Sequence, residues 1–226
     1  MPVQIRAAEQ HMAMFSVDAD AAQRMIDYSG LRVYRHRPNR AMVVLMLMHY
    51  IDGDLGPYLE YGTNVMVNRP GSAESGLRGL GSAGAFVHHL PVDGEFTLQA
   101  GRQIWGYPKV LADFTLHEGG PFSFDVSIDG RLAVGMDFKP GLPVPSAFTA
   151  KPQVQSTFSH LDGVLRETEG QMRLSGVRYR PGGVRIRLGD HPYAKELAAL
   201  GLPKRALLSS SVRNVQMTFA DAKEIS

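Results

Sequence analysis

Lys109 closes the run Gly101-Arg102-Gln103-Ile104-Trp105-Gly106-Tyr107-Pro108-Lys109. A lysine fixed behind a proline, among aromatics and glycines, is an unusual setting for a solvated charge. Desolvation penalises the ammonium form, so a lysine in apolar surroundings gives up its proton more readily than a free one. The resulting amine is a nucleophile for ketones and can form a Schiff base. The other reading is a snorkelling lysine at a strand edge, its stem on apolar surface and its head in water; the residues alone leave both open. Glu60, in Tyr58-Leu59-Glu60-Tyr61-Gly62, is the second group of interest. An acid flanked by aromatics can be held protonated and shuttle protons to and from carbonyl-derived intermediates. Composition alone reads it as an exposed edge-strand glutamate.

Other motifs carry less. Gly79-Leu80-Gly81-Ser82-Ala83-Gly84 has the spacing of a dinucleotide fingerprint, which requires a strand before it and a helix after it. Here a Gly/Ser loop precedes it and Pro91 follows, so no nucleotide cofactor is expected. His88 and His89 are adjacent, and neighbours in a regular strand point to opposite faces. They are expected as one core or loop histidine and one exposed, and no metal is expected. Ser209, Ser210 and Ser211 lack a nucleophile elbow around them and read as structural.

Composition bounds the remaining classes. A net charge of +2 does not suggest nucleic acid, which needs clustered Lys and Arg. Arg178, Arg180, Arg185 and Arg187 form the nearest basic cluster; Arg185 and Arg187 alternate with Val184, Ile186 and Leu188 as on the solvated face of a strand. With no cysteine there is neither a disulfide framework nor a thiolate nucleophile. The first residues lack the apolar core of a signal peptide, and the apolar run 41–48 is far short of the roughly 20 residues that span a bilayer. A cytoplasmic protein with no membrane partner is expected.

The elements that must position Lys109 and Glu60 are mostly strands. Phe122, Phe124, Val126 and Ile128 alternate with smaller residues, Asp129-Gly130 follows, and Leu132, Val134, Met136 and Phe138 alternate again. Asp-Gly supplies the positive φ of a two-residue hairpin turn. Pro181-Gly182-Gly183 marks a turn between 177–179 and 184–188. Further strands are expected at 41–50, 63–67, 85–90, 95–100, 110–117 and 212–219. Helices are expected at Asp18 to Tyr28 and at Asp190 to Leu200, the second with Asp190 as N-cap and Pro192 in its first turn. Segments 68–84 and 139–160 read as long loops. Strands and helices do not alternate, which argues against a parallel α/β fold.

Three collinear segments carry a resemblance. "GRQIWGYPKVLADF" resembles the active-site stretch of the acetoacetate decarboxylase family. "MHYIDGDLGPYLEYG", residues 48–62, is similar to the family's Met-His segment leading into Tyr-x-Glu. "GGVRIRLGDHPYAKELAALGLPKRALLSSSVRNVQMTF" looks like its closing strand, helix and Ser-Ser-Ser strand. The resemblance implies one domain over 1–226, a closed, cone-like antiparallel β-barrel of mostly β (α+β) class with about two peripheral helices, and a homo-oligomer. It implies Lys109 as the Schiff-base nucleophile and Glu60 as the active-site acid. Tyr58, Trp105, Tyr107, Arg102 and Gln103 would bind substrate, with no cofactor and no metal. The implied reaction is decarboxylation of a small β-keto acid through an imine and enamine. The alternatives are aldol or dehydration chemistry on a pyruvate-like keto acid, and a non-catalytic barrel for a small ligand. The family's namesake is itself the usual illustration of a lysine activated by its surroundings.

The chain departs from the family's decarboxylases at four positions. Val110 stands where the best-known members carry a second lysine. Alternation from Lys109 points residue 110 to the other face, so Val110 would add apolar surface instead. Val44 replaces a second glutamate and Gln103 the glutamate of Gly-Arg-Glu. Ala8 replaces an arginine, with Arg6 two residues away on the same parity.

Overall fold

Long alternating strands dominate the computed structural model, which describes residues 2–117, 120–149 and 151–225. β1 (Val3–Asp18) leads into α1 (Ala19–Ile26), then β2 (Arg35–Arg37), β3 (Arg40–Gly53), β4 (Tyr58–Val67) and β5 (Gly84–Val92). α2 (Glu95–Trp105) follows, then β6 (Lys109–Leu111), β7 (Asp113–His117), β8 (Ser123–Ile128) and β9 (Arg131–Phe138). The chain continues through β10 (Leu142–Pro143), β11 (Gln153–Leu161), β12 (Val164–Pro181) and β13 (Val184–Leu188). It ends with α3 (Pro192–Ala199), β14 (Leu208–Phe219) and β15 (Lys223–Ile225).

The larger sheet runs β1-β14-β12-β11-β5-β4-β3-β2, and β1 pairs with β3 as well as with β14. Its pairings are antiparallel except where β5 meets β11 and β6. A second sheet, β13-β9-β8-β7, is antiparallel throughout. Parity sorts the side chains of the larger sheet into two cores. Phe15, Val43, Leu45 and Val65 pack with Phe124, Val126, Met136 and Phe138 of the second sheet, and α1 and α3 add Ile26 and Leu197. Met48, Tyr50, Tyr58, Leu90, Trp105 and Tyr107 belong to the other core. Each fully buried side chain of this size stabilises the fold by about 1.5–3 kcal/mol.

The Asp129-Gly130 hairpin forms as expected, with φ of 51° and 71° at the two turn residues. α1 is capped by Asp18, whose side chain accepts the Ala21 N–H. α3 also forms, but its N-cap is His191, not Asp190.

Other expectations are corrected. Residues 95–100, read as a strand, are helical: Leu98, Gly101 and Trp105 recur at helical spacing and make the buried face of α2. The expected loop 139–160 contains β11; its Ala150 lies outside the described residues. The turn at Pro181-Gly182-Gly183 is present, but β13 then leaves for β9 in the second sheet. Arg187 does not face bulk solvent alone; it is half-buried between Asp125 and Asp137. Among the described residues no helix is long and apolar enough to cross a membrane.

Candidate active site

Helix α2 and the turn after it aim Lys109. Gly106 takes φ of 63° at the C-cap, where its N–H reaches Arg102 O, and the Tyr107 N–H reaches Gly101 O at 3.2 Å. Only a residue at ease in the left-handed region ends a helix this way without strain. Pro108 prevents any return to helix, and β6 begins at once, pairing Lys109 with Leu90 of β5. Three bonds fix the turn: Ser159 Oγ donates to Trp105 O at 2.6 Å, Trp105 Nε1 to Ala220 O at 2.9 Å, and Arg102 Nε to Lys109 O at 3.0 Å.

The lysine is 1% exposed. Its Nζ lies 2.7 Å from Glu60 Oε2 and 5.1 Å from the Tyr58 ring centroid. This excludes the snorkelling lysine, and the amine has a carboxylate at contact distance as well as apolar surroundings. Glu60 is buried too, not an exposed edge residue. The β3–β4 register sets Tyr50 opposite Tyr58 and Met48 opposite Glu60. The Tyr50 hydroxyl donates to Glu60 Oε1 at 2.9 Å, and its ring stacks on Tyr58 at 4.2 Å.

Three phenols surround this pair, and all stay protonated at neutral pH. Burial, with the Glu60 charge adding to it, pushes Tyr50 and Tyr58 well above the ordinary tyrosine value. Burial pushes Tyr107 up to about 12. Tyr107 Oη lies 2.9 Å from Thr157 Oγ1, and its ring packs 5.7 Å from that of Trp105. The site can therefore donate hydrogen bonds from neutral hydroxyls around one amine and one carboxyl.

Gly101 explains the start of the motif. A Cβ there would lie 2.6 Å from Lys109 Cδ and 3.1 Å from Nζ, and closer still to Cε. The glycine is needed for this close approach.

Of the residues singled out from sequence, Lys109, Glu60, Tyr58, Trp105 and Tyr107 come together in one buried region. Arg102 and Gln103 do not join them: both are exposed on α2, and Arg102 reaches the site only through the backbone of Lys109. Ala8 is fully buried. Arg6 does not take the missing arginine's place, because register shifts between Ile5 and Ala8 break the parity that would have turned it inward. It faces solvent, held by Asp52 and Asp54 at 2.7 Å each. Val110 is half-buried beside the fully buried Lys109, and Leu111 is already exposed.

Sequence reasoning missed Tyr50, Gln10 and Asn64. Gln10 lies opposite Met48, which lies opposite Glu60, and Gln10 Nε2 meets Met46 Sδ at 3.0 Å. Asn64 folds back over Gly62, where a Cβ would lie 2.8 Å from its Nδ2. The hairpin turn between Tyr50 and Tyr58 is the signal that could have revealed Tyr50. A surface cavity of about 340 Å³, lined by Arg6, Arg173, Gln216 and neighbours, contains neither Lys109 nor Glu60.

A mostly β scaffold therefore buries a lysine against a carboxylate among aromatic rings. The family profile described as acetoacetate decarboxylase (ADC) matches residues 1–223, and the chain belongs to that family. Solved structures agree on the fold. An acetoacetate decarboxylase from Legionella pneumophila superposes with a TM-score of 0.72 at 18% identity, covering 100% of this chain and 88% of the other. The enduracididine biosynthesis enzyme MppR, complexed with pyruvate, superposes at 0.63 and 18%, covering 100% and 91%. An acetoacetate decarboxylase-like enzyme from Sphingomonas wittichii RW1 gives 0.65 and 14%, covering 100% and 93%. Comparison with curated protein sequences finds no match.

Proposed function

We propose that the protein is a Schiff-base lyase in which Lys109 is the nucleophile and Glu60 the proton shuttle. The observation that carries this reading is the buried 2.7 Å contact between Lys109 Nζ and Glu60 Oε2. The β1–β3 pairing supports the further reading of the larger sheet as a single-domain closed barrel around this pair.

The amine attacks the ketone carbon of a small β-keto acid, and the carbonyl oxygen takes a proton. Glu60 hands a proton to the resulting hydroxyl, which leaves as water and gives a protonated imine. The bond to the carboxylate then breaks, its electron pair moves toward the imine nitrogen, and CO₂ departs to leave an enamine. Protonation of the enamine carbon and hydrolysis release a ketone and restore Lys109. Throughout, the Glu60 carboxylate opposes the iminium charge, and Tyr50 holds it in place through Oε1.

A second reading keeps the imine and retains the carboxylate: Glu60 removes a proton beside the imine of a pyruvate-like acid, and the enamine adds to an aldehyde. It is favoured by the apolar Ala8 and Val44 at the positions of charged family residues, and MppR complexed with pyruvate offers a precedent within the fold. Gln10 and Asn64, buried on strands β1 and β4 of the same sheet, are neutral groups that could receive a carboxylate. One experiment separates the readings. Release of CO₂ from acetoacetate that disappears in Lys109→Ala supports decarboxylation. Lys109-dependent exchange of the pyruvate methyl protons into D₂O, without CO₂ release, supports the second. Neither activity contradicts both.

A further inference from the structure

β5 also carries a cluster that the chemistry at Lys109 does not use. His88 and His89, expected on opposite faces, point the same way. Thr63 pairs with His89 while Asn64 pairs with Val87, so the register shifts at this point of the β4–β5 ladder. An extra residue in one strand turns consecutive side chains to one side. Both histidines are therefore inside, His88 6% and His89 12% exposed, and the expectation of one exposed histidine is corrected. Their Nε2 atoms meet one oxygen of Glu196 on α3, at 2.9 and 2.6 Å. One ligand atom from each of the three residues lies within 4.8 Å of the others.

We propose that His88, His89 and Glu196 form a binding site for a divalent transition metal of the zinc class, clamping α3 to β5. Two imidazoles and a carboxylate are a donor set suited to zinc, which takes ligands at about 2.0–2.2 Å in a tetrahedron. That geometry separates ligand atoms by roughly 3.4 Å, so the carboxylate has to withdraw by roughly 0.5–0.8 Å. Glu196 has room to do so, since its side chain is 41% exposed and the two histidines are held.

The surroundings supply the outer partners that metal-bound histidines use. Tyr28 Oη lies 2.9 Å from His88 Nδ1, ready to accept the proton that Nδ1 carries when Nε2 binds metal. Tyr193 stacks on His89 with ring centroids 3.4 Å apart and 12° between planes, which fixes the ring. The exposed side of Glu196 leaves the fourth position to water.

The rival arrangement is a hydrogen-bonded tripod in which Glu196 accepts two N–H groups and no metal binds. The test uses the full-length, untagged protein stripped with a chelator and titrated with Zn²⁺ by calorimetry and with Co²⁺ by absorption. The expected result is one ion per chain and, at a hundredfold excess over Kd, a melting temperature raised by roughly 5–10 °C. Glu196→Gln and His89→Gln should weaken binding by at least roughly a hundredfold, and Tyr28→Phe by about tenfold. Tyr28 is half-exposed, so its variant keeps the test meaningful if the other two misfold. Absence of stoichiometric binding by the folded parent, or binding unchanged in every folded variant, would overturn the proposal.

Discussion

Gly101→Ala is the sharpest probe of how the lysine is held. A Cβ at this position lies 2.6 Å from Lys109 Cδ, where ordinary contact is 3.4–4 Å. About 1 Å of movement is therefore required, and the atoms in the way belong to the flexible end of one side chain. Within α2 the exchange of Gly for Ala itself stabilises by about 1 kcal/mol, while overpacking costs about 1–3 kcal/mol. The net loss lies between roughly 0 and 2 kcal/mol, or at most about 8 °C in Tm for a chain of this size. Activity should suffer far more, because a misplacement of about 1 Å can cost roughly a hundredfold in rate. The assay compares the rate of borohydride trapping of a keto-acid adduct with the thermal melt of the same sample. A folded variant that traps at the parent rate would refute the packing of Lys109 against Gly101.

The other predictions concern charge. Lys109→Met strands Glu60 in a buried site and should cost about 3–5 kcal/mol by urea unfolding, and adding Glu60→Gln should recover most of that loss; additive effects would contradict the coupling. Glu60→Gln alone should lower turnover by roughly 10²–10⁴-fold and leave trapping at Lys109 measurable, whereas unchanged turnover would remove Glu60 from the mechanism. Burial lowers His11 and His89 to about 4, so between the ordinary histidine value of about 6.5 and 4 the unfolded chain binds more protons than the folded one. Their stabilising contribution is complete above pH 6.5 and lost as pH falls toward 4, by at most roughly 3 kcal/mol each. Glu196, held at about 2, adds a loss that begins near 4.5 and continues below it. The melting temperature should hold level from pH 7.5 to about 6.5 and then fall steadily to pH 4, and a profile flat throughout would contradict this burial.

Local signals were legible where one short segment decides the outcome. Asp129-Gly130 dictated its hairpin, Asp18 and Pro192 marked their helices, and the Gly-Tyr-Pro run announced a special lysine. The depth of the site was not legible. Glu60 is buried because β3 supplies Tyr50 and Met48 and β5 supplies Val92 across the sheet, and such register is a long-range property. Register shifts defeated parity arguments twice, turning Arg6 out to Asp52 and Asp54 and bringing His88 beside His89. Helix α2 was misread because Phe96, Thr97 and Leu98 alternate like a strand, while the residues that reveal its period, Gly101 and Trp105, lie inside the lysine motif.

Imine formation at Lys109, as proposed, is open to direct test. Incubation with acetoacetate or pyruvate, reduction with borohydride and peptide mass mapping test it directly. A mass increase confined to the peptide carrying Lys109 and absent from Lys109→Ala is expected. No adduct with either acid at neutral pH, or an adduct on another lysine, would contradict it.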